Sequence, residues 1–350
     1  MIQETKKYPN GLSYDDVLLK PQYSDIRSRS EIDISSALGD KLKLKLPIIA
    51  SPMDTVSETD MAIVTSRLGG TAIIHRYNTI PEQINLMKNA YKKTRIPPVF
   101  GAAVGISGDY LERASELIRH GARILCVDVA HGHHILMKDA LANIKKLHKI
   151  ENVHLMAGNV ATLEGINDLA DWGADSVRCN IGGGSICSTR IQTGHGLPGL
   201  QTILECAQTD RDIKIIADGG IKNSGDIVKA LAAGADAVMV GSLLSGTDES
   251  PGEILTSRDG SRWKSYRGMA SKEAQMDWRG KYSSFEGVAS RVPYRGPVEA
   301  ILRDLEKGIR SGFSYSGART LPELHAKAEF IVQTSLGLSE SKTHILSRNW

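Results

Sequence analysis

Three stretches share one design: RHGARILCVDV (Arg119–Val129), DWGADSVRCNI (Asp171–Ile181) and AAGADAVMVGS (Ala232–Ser242). Each sets Gly-Ala between the end of a helical pattern and a short run of strand-forming residues. Glycine takes the left-handed conformation that stops a helix without a Cβ clash, so Gly121, Gly173 and Gly234 read as terminators that feed straight into strands. A repeated unit of helix, glycine and strand predicts a parallel sheet with helical crossovers.

Outward from these copies, eight apolar β-rich runs recur: PIIASPM from Pro47, TAIIHRY from Thr71, VFGAAVG from Val99, ILCVDVAHG from Ile124, HLMAGNV from His154, SVRCNIG from Ser176, IKIIADGG from Ile213 and AVMVGSLL from Ala237. Helical patterns separate them, as in DYLERASELIRHG, where Leu111, Ala114, Leu117 and Ile118 are expected on one buried face. Eight units allow closure into a (β/α)8 barrel, an α/β fold in which residues 1–350 form one domain; an open doubly wound sheet is the alternative. After the eighth strand, residues 247–297 are polar, charged and aromatic and read as a flap, and residues 337–350 form a polar tail with no assigned role.

Lys and Arg number 43 against 40 Asp and Glu, giving +3 with both signs interspersed, so nucleic acid and membrane surfaces are not expected partners while small anions are. The polar start MIQETKKYPN lacks a signal-peptide core, and no run nears the roughly 18 apolar residues of a membrane span, so a cytoplasmic protein is expected. Cys126, Cys179, Cys187 and Cys206 show neither C-x-x-C nor Cys/His zinc spacing. Cys126 and Cys206 sit in apolar patterns and read as small buried hydrophobes.

Barrels of this type do their chemistry on the loops that follow the strands. Met53-Asp54-Thr55, Asp128-Val129-Ala130-His131, Asn159, Asp218-Gly219-Gly220 and Gly241-Ser242 all fall there. The last two sites follow strands seven and eight, where backbone N–H groups commonly hold a phosphate; a carboxylate there suits ribose hydroxyls, which makes the ligand a nucleotide. In CNIGGGSICSTR, Cys187 follows glycine amides and precedes Thr189 and Arg190, a setting that lowers a thiol pKa and makes a nucleophile; an incidental loop cysteine is the other reading. The carbonyls of Gly182, Gly184 and Cys187 are candidates to face a monovalent cation. In the flap, YRGMAS from Tyr266 offers backbone to a purine, and Glu286 beside Gly287 is either a proton carrier or a surface glutamate. His131, His133 and His134 lack metal-ligand spacing, and His75 with Arg76 is placed to meet a cofactor's phosphates.

With these motifs in order, nearly the whole chain resembles the IMP dehydrogenase/GMP reductase family, through SYDDVLLKP, SPMDTV, AGNVAT, GGGSICSTR, IIADGGI, VMVGSLL, ESPGE and YRGM. The resemblance implies that Cys187 attacks C2 of a purine nucleotide while Thr189 and Glu286 move protons. Asp218, Gly219, Gly220, Gly241, Ser242 and Ser185 would hold ribose and phosphate, with Met53, Tyr266, Gly268, Met269, Ala270 and Gly287 around the base. A nicotinamide cofactor, NADPH or in the alternative NAD, would lie near Asp128, Val129, Ala130, Asn159, Ile181 and Gly182, with Ser28, Arg29 and Arg76 toward its far end. The cation would be K+ and the assembly a homotetramer.

Dehydrogenases of the family oxidise IMP to XMP; they carry an adjacent Arg-Tyr pair on the flap and usually a regulatory insertion between strands two and three. Here KNAYKKTRIPP from Lys88 fills the insertion point, and Tyr282 is parted from Arg279 by Gly280 and Lys281. These features imply the reductive branch, which converts GMP and NADPH to IMP and ammonia. SPMDTVSE, IIHR and Arg76 lean toward the dehydrogenases, and Asn180, Gly183 and Ser188 depart from glycine, proline and threonine usual in both. A catalytically silent purine-sensing barrel is the reading from another class.

Overall fold

The structure is a computed structural model that describes residues 10–281 and 286–342. Eight strands close into a barrel: β1 (Ile48–Ala50), β2 (Thr71–Ile74), β3 (Gly101–Val104), β4 (Ile124–Asp128), β5 (His154–Val160), β6 (Ser176–Cys179), β7 (Lys214–Asp218) and β8 (Ala237–Val240). All neighbours are parallel, and β8 returns to β1 through Val238↔Ile48, Met239↔Ile49 and Val240↔Ala50, so the sheet is not open. Helices α1 (Thr59–Arg67), α2 (Ile80–Lys92), α3 (Tyr110–Arg119), α4 (Ile135–Ile144), α5 (Leu163–Asp171), α6 (Gly199–Cys206), α7 (Ser224–Ala232) and α8 (Val298–Tyr315) follow the strands in turn.

The Gly-Ala repeat is the joint between layers. Gly121, Gly173 and Gly234 have φ of 92°, 99° and 114°. Beyond each, the alanine N–H reaches back to a helix carbonyl: Ala122 to Leu117 at 2.9 Å, Ala174 to Leu169 at 3.0 Å and Ala235 to Ala230 at 3.1 Å. Those carbonyls would otherwise end the helix unpaired. In two copies the next residue clamps the preceding strand: the Asp175 carboxylate accepts the Leu155 N–H at 2.7 Å, and Asp236 accepts that of Ile215 at 2.8 Å.

On α3 the buried face differs from the expected one. Ala114 and Leu117 are buried, but Leu111 is 37% exposed and Arg113 only 2%. Asn78, Gln83 and Asp109 accept hydrogen bonds from its guanidinium, and a saturated cation can be buried where an unpaired one cannot.

The barrel interior is graded. Ile49, Ile73, Ile124, Met156, Ile216 and Met239 fill it, and an N-terminal hairpin, Ser36–Ala37 with Lys43–Leu44, adds Leu38, Leu42 and Leu44 as a plug. Lys41 fastens the hairpin to the Val153 carbonyl, just before β5, at 3.1 Å. Going up β4, the inward residues change from Ile124 to Cys126 to Asp128, so the opposite end is polar. Cys126 is fully buried, and burial pushes its thiol up to about 12, as expected of a packing residue.

The flap folds as a three-stranded antiparallel sheet, Leu255–Thr256, Arg262–Arg267 and Ala289–Pro293, with a helix at Lys272–Arg279. The buried Lys264 ammonium donates to the Thr247 carbonyl at 3.0 Å and to that of Ser250, tying the sheet to its base. Tyr282 lies outside the described residues. The C-terminal tail begins folded: Phe330–Val332 pairs with Val17–Leu19, and Thr334 caps a short helix at Ser335–Glu340, while residues 343–350 lie outside the described residues. Among the described residues no helix is long and apolar enough to cross a membrane.

Candidate active site

A cavity of about 280 Å³ opens at the polar end of the barrel, between the strand-end loops and the flap. At its centre three side chains stand in line. The Cys187 thiol donates to Thr189 Oγ1 at 3.1 Å, and the Thr189 hydroxyl donates to Glu286 Oε2 at 2.7 Å. The alignment is held by main chain: the flap grips the loop on both sides of Cys187, with Ser188 N–H on the Glu286 carbonyl at 2.8 Å and Val288 N–H on that of Ile186 at 3.0 Å. Gly287 faces Cys187 across this bridge, and a Cβ on it would lie 3.4 Å from the Gly268 Cα. Glu286 N–H in turn binds the Ala270 carbonyl at 3.0 Å. Glu286 is therefore a flap carboxylate turned inward.

Arg190 does not face the thiol. Its guanidinium donates to the carbonyls of Ile181 at 3.3 Å and Leu197 at 2.5 Å, which braces the ends of the loop. The partner of the thiol is the Thr189 hydroxyl.

Around this line the expected nucleotide residues do assemble. Met53, Ser185, Asp218, Gly219, Gly220, Gly241, Ser242, Tyr266, Gly268, Met269, Ala270 and Gly287 all line the cavity. Gly219 and Gly220 have φ of 87° and 77°, a turn closed to most side chains. A Cβ on Gly241 would sit 2.9 Å from the Met53 sulfur and 3.1 Å from the Tyr266 hydroxyl, so glycine keeps that approach open. The Tyr266 phenol is held above its usual pKa by burial and stays protonated. Arg267 latches the flap to the loop after β1 through Asp54, at 2.9 and 2.6 Å.

Arg76, Asp128, Val129, Ala130, Asn159, Ile181 and Gly182 line the other side of the same cavity. Ser28 and Arg29 do not reach it within this chain: the Ser28 hydroxyl caps the turn Arg29–Glu31, whose Glu31 carboxylate lies 3.7 Å from Arg319. His75 is also elsewhere, buried with Nε2 2.9 Å from Glu58. His133 pairs with Asp168 at 2.8 Å and His134 caps α4, and no metal-binding cluster of His, Cys, Asp or Glu occurs among the described residues.

The sequence reading passed over Arg178. This β6 side chain, buried in the wall, joins Asp218, at 3.0 and 2.8 Å, to Asp128. Asn159 completes the group, giving Nδ2–H to Asp218 Oδ2 at 2.9 Å and to the Asn180 carbonyl at 3.0 Å. Burial alone would raise the Asp128 carboxyl, but Arg178 and Arg76 hold it below its usual range. The available signal was one arginine inside SVRCN, at the period-two position that points inward.

A closed barrel that carries a thiol, a hydroxyl and a carboxylate in line at its mouth is the frame of a (β/α)8 enzyme with covalent chemistry. The comparisons narrow the class. This chain belongs to the IMP dehydrogenase/GMP reductase family, whose domain model matches residues 11–344. The family consists of oxidoreductases that use a nicotinamide cofactor. An inosine-5'-monophosphate dehydrogenase of Nitrosopumilus maritimus is 35% identical, with 97% of this chain and 99% of the relative covered. A GMP reductase of Leishmania major is 31% identical, with 97% and 98% covered. A GMP reductase from Trypanosoma brucei, solved in complex with guanosine 5'-monophosphate, superposes with a TM-score of 0.92 at 30% identity, covering 98% of this chain and 99% of that one.

The length of the alignment does not separate relatives named as reductases from those named as dehydrogenases. The Leishmania reductase aligns over 482 positions and the dehydrogenase of Cryptosporidium parvum over 392, so a long alignment is not peculiar to the dehydrogenases nor a short one to the reductases. The weight falls on the flap.

Proposed function

We propose that the chain is a GMP reductase, which converts GMP to IMP and ammonia with NADPH. The Cys187–Thr189–Glu286 line carries the covalent chemistry, coupling a nucleophile to a proton carrier in two short steps of 3.1 and 2.7 Å, and the flap sequence carries the choice of the reductive branch. With the 5'-phosphate at Ser185, Gly220, Gly241 and Ser242 and ribose hydroxyls on Asp218, the base reaches Cys187. The thiolate attacks C2, the C2–N bond breaks, and the amine leaves as ammonia, protonated through Thr189 and Glu286. A C2–S adduct to Cys187 remains. The residues on the far side of the cavity suit a dinucleotide: Arg76 offers positive charge to a phosphate, and Val129 and Ala130 offer a flat apolar edge. NADPH bound there supplies the hydride that reduces C2, after which sulfur leaves as thiolate.

The flap supports reduction over hydrolysis. Arg267 is committed to Asp54 and Asp277, and Arg279 is the last residue of its helix, closed by Gly280 with φ of 65°. The flap, residues 247–297, contains no adjacent Arg-Tyr pair, in that order, of the kind that would activate water. The second reading is an IMP dehydrogenase, favoured by SPMDTV and by the 35% identity to a dehydrogenase. K+ on the carbonyls of Gly182, Gly184 and Cys187, a homotetramer and a cytoplasmic location belong to the same proposal.

Parallel assays decide between the readings. GMP with NADPH is expected to consume the cofactor and release ammonia. Turnover of IMP with NAD and none of GMP overturns the reductase reading.

A further inference from the structure

Asn180 and Gly183 flank the start of the loop bearing Cys187, and the structure brings the two together. Asn180 follows β6 directly with φ of 146°, a region that favours glycine. It is 4% exposed. Its main chain is fully engaged, with N–H on the Val160 carbonyl at 2.8 Å and C=O accepting from Asn159 at 3.0 Å. Its carboxamide reaches under the loop and donates to the Gly219 carbonyl at 3.4 Å, while Oδ1 is buried without a partner.

Three segments meet this carboxamide. A Cβ on Gly183 would overlap it outright. A Cβ on Gly199, the first residue of α6, would stand 3.3 Å from Nδ2 and 3.2 Å from the Tyr14 ring. The third is Gly219, in the loop proposed to hold ribose. Backbone strain combined with an unsatisfied buried oxygen has a cost, and such features persist where the surroundings over-determine them. The surroundings here are the three segments that shape the nucleotide cavity.

We propose that Asn180 is a positioning residue, a polar wedge that sets the height of the Gly182–Cys187 loop over the Gly219–Gly220 turn and so the reach of the thiol to the base. Gly183 is its necessary complement: the space that a side chain at 183 would use is taken by the carboxamide. The two positions form one unit, with a large group at 180 requiring none at 183. The inference rests on the proposed nucleotide chemistry of Cys187, but not on the direction of the redox step.

A double-mutant cycle tests it, with three readouts on each variant: kcat and KM for the active nucleotide, the rate of Cys187 alkylation by iodoacetamide, and the thermal midpoint. G183A is expected to lose about a hundredfold in kcat, the scale of an ångström-sized misplacement of reacting groups, and to alter the alkylation rate. N180G should raise KM and change thiol reactivity with no fall in thermal midpoint, since glycine relieves the backbone strain. N180G/G183A should recover at least tenfold of the activity lost in G183A, a non-additive result. Two outcomes overturn the inference: a double variant no better than G183A, or an N180G enzyme with native KM and native alkylation rate. If G183A does not fold, N180G alone decides through the same two kinetic readouts. A wild-type protein that binds neither GMP nor IMP refutes the nucleotide reading itself, which separates the two failures.

Discussion

The wall of the barrel and the junction of loop and flap use polar groups in opposite ways. In the wall, the Arg178 guanidinium binds Asp128 and Asp218, with Asn159 completing the set, and all four line the cavity. At the junction, Cys187, Thr189 and Glu286 form a line with a free end toward the cavity, supported by two main-chain bonds from the flap. A closed polar network rigidifies; an open one can pass a proton. The same enzyme needs both, the first to fix the mouth and the second to act in it.

The contrast can be broken from either side. Cys187→Ala should abolish turnover while leaving the denaturant midpoint of unfolding within error of wild type, because a half-exposed thiol adds little to packing; measurable turnover would make the thiol structural. Next in size, Arg178→Met leaves the half-buried Asp128 and Asp218 carboxylates without their shared cation. The expected loss is about 3–5 kcal/mol of unfolding free energy, read by chemical denaturation, with activity falling as the mouth distorts. A loss under about 1 kcal/mol would mean that the network does not organise the wall.

The pH dependence of stability sharpens the comparison at the plugged end of the barrel. His154, bonded to Ser176 at 2.7 Å, is buried, and burial lowers its pKa to about 4. The unfolded chain takes up this proton near 6.5 while the folded chain refuses it until about 4, so stability falls as pH drops through that window. The slope from this group is at most about 1.4 kcal/mol per pH unit. His154→Gln should flatten that part of the curve; an unchanged profile would remove His154 as its cause. The smallest effect is expected at the repeat. Gly121→Ala meets only the Tyr91 side chain, its hydroxyl at 3.6 Å, so its cost is the left-handed backbone alone, about 1–2 kcal/mol in the same denaturation assay.

The barrel was legible because strand periodicity and the Gly-Ala joint are local signals repeated several times. The cavity residues were legible because the fold assigns every strand end to one mouth. What stayed hidden depended on three-dimensional pairing. Arg113 and Arg178 look misplaced until their acceptors, up to fifty residues away in sequence, are in view. The role given to Arg190 failed for the same reason: proximity in sequence put it beside the thiol, whereas its Nη2 donates to the carbonyls of Ile181 and Leu197. Ser28 and Arg29 were carried to the cavity by resemblance, and their local capping keeps them out of it in a single chain.

The hairpin at Ser36–Leu44 makes the barrel a cup instead of a tube. A cup empties over the rim by which it fills, so whatever enters and leaves the cavity shares one doorway, and the flap stands in it. The main-chain bonds that join flap and loop beside Cys187 stand at that rim, where their opening would set the pace of traffic.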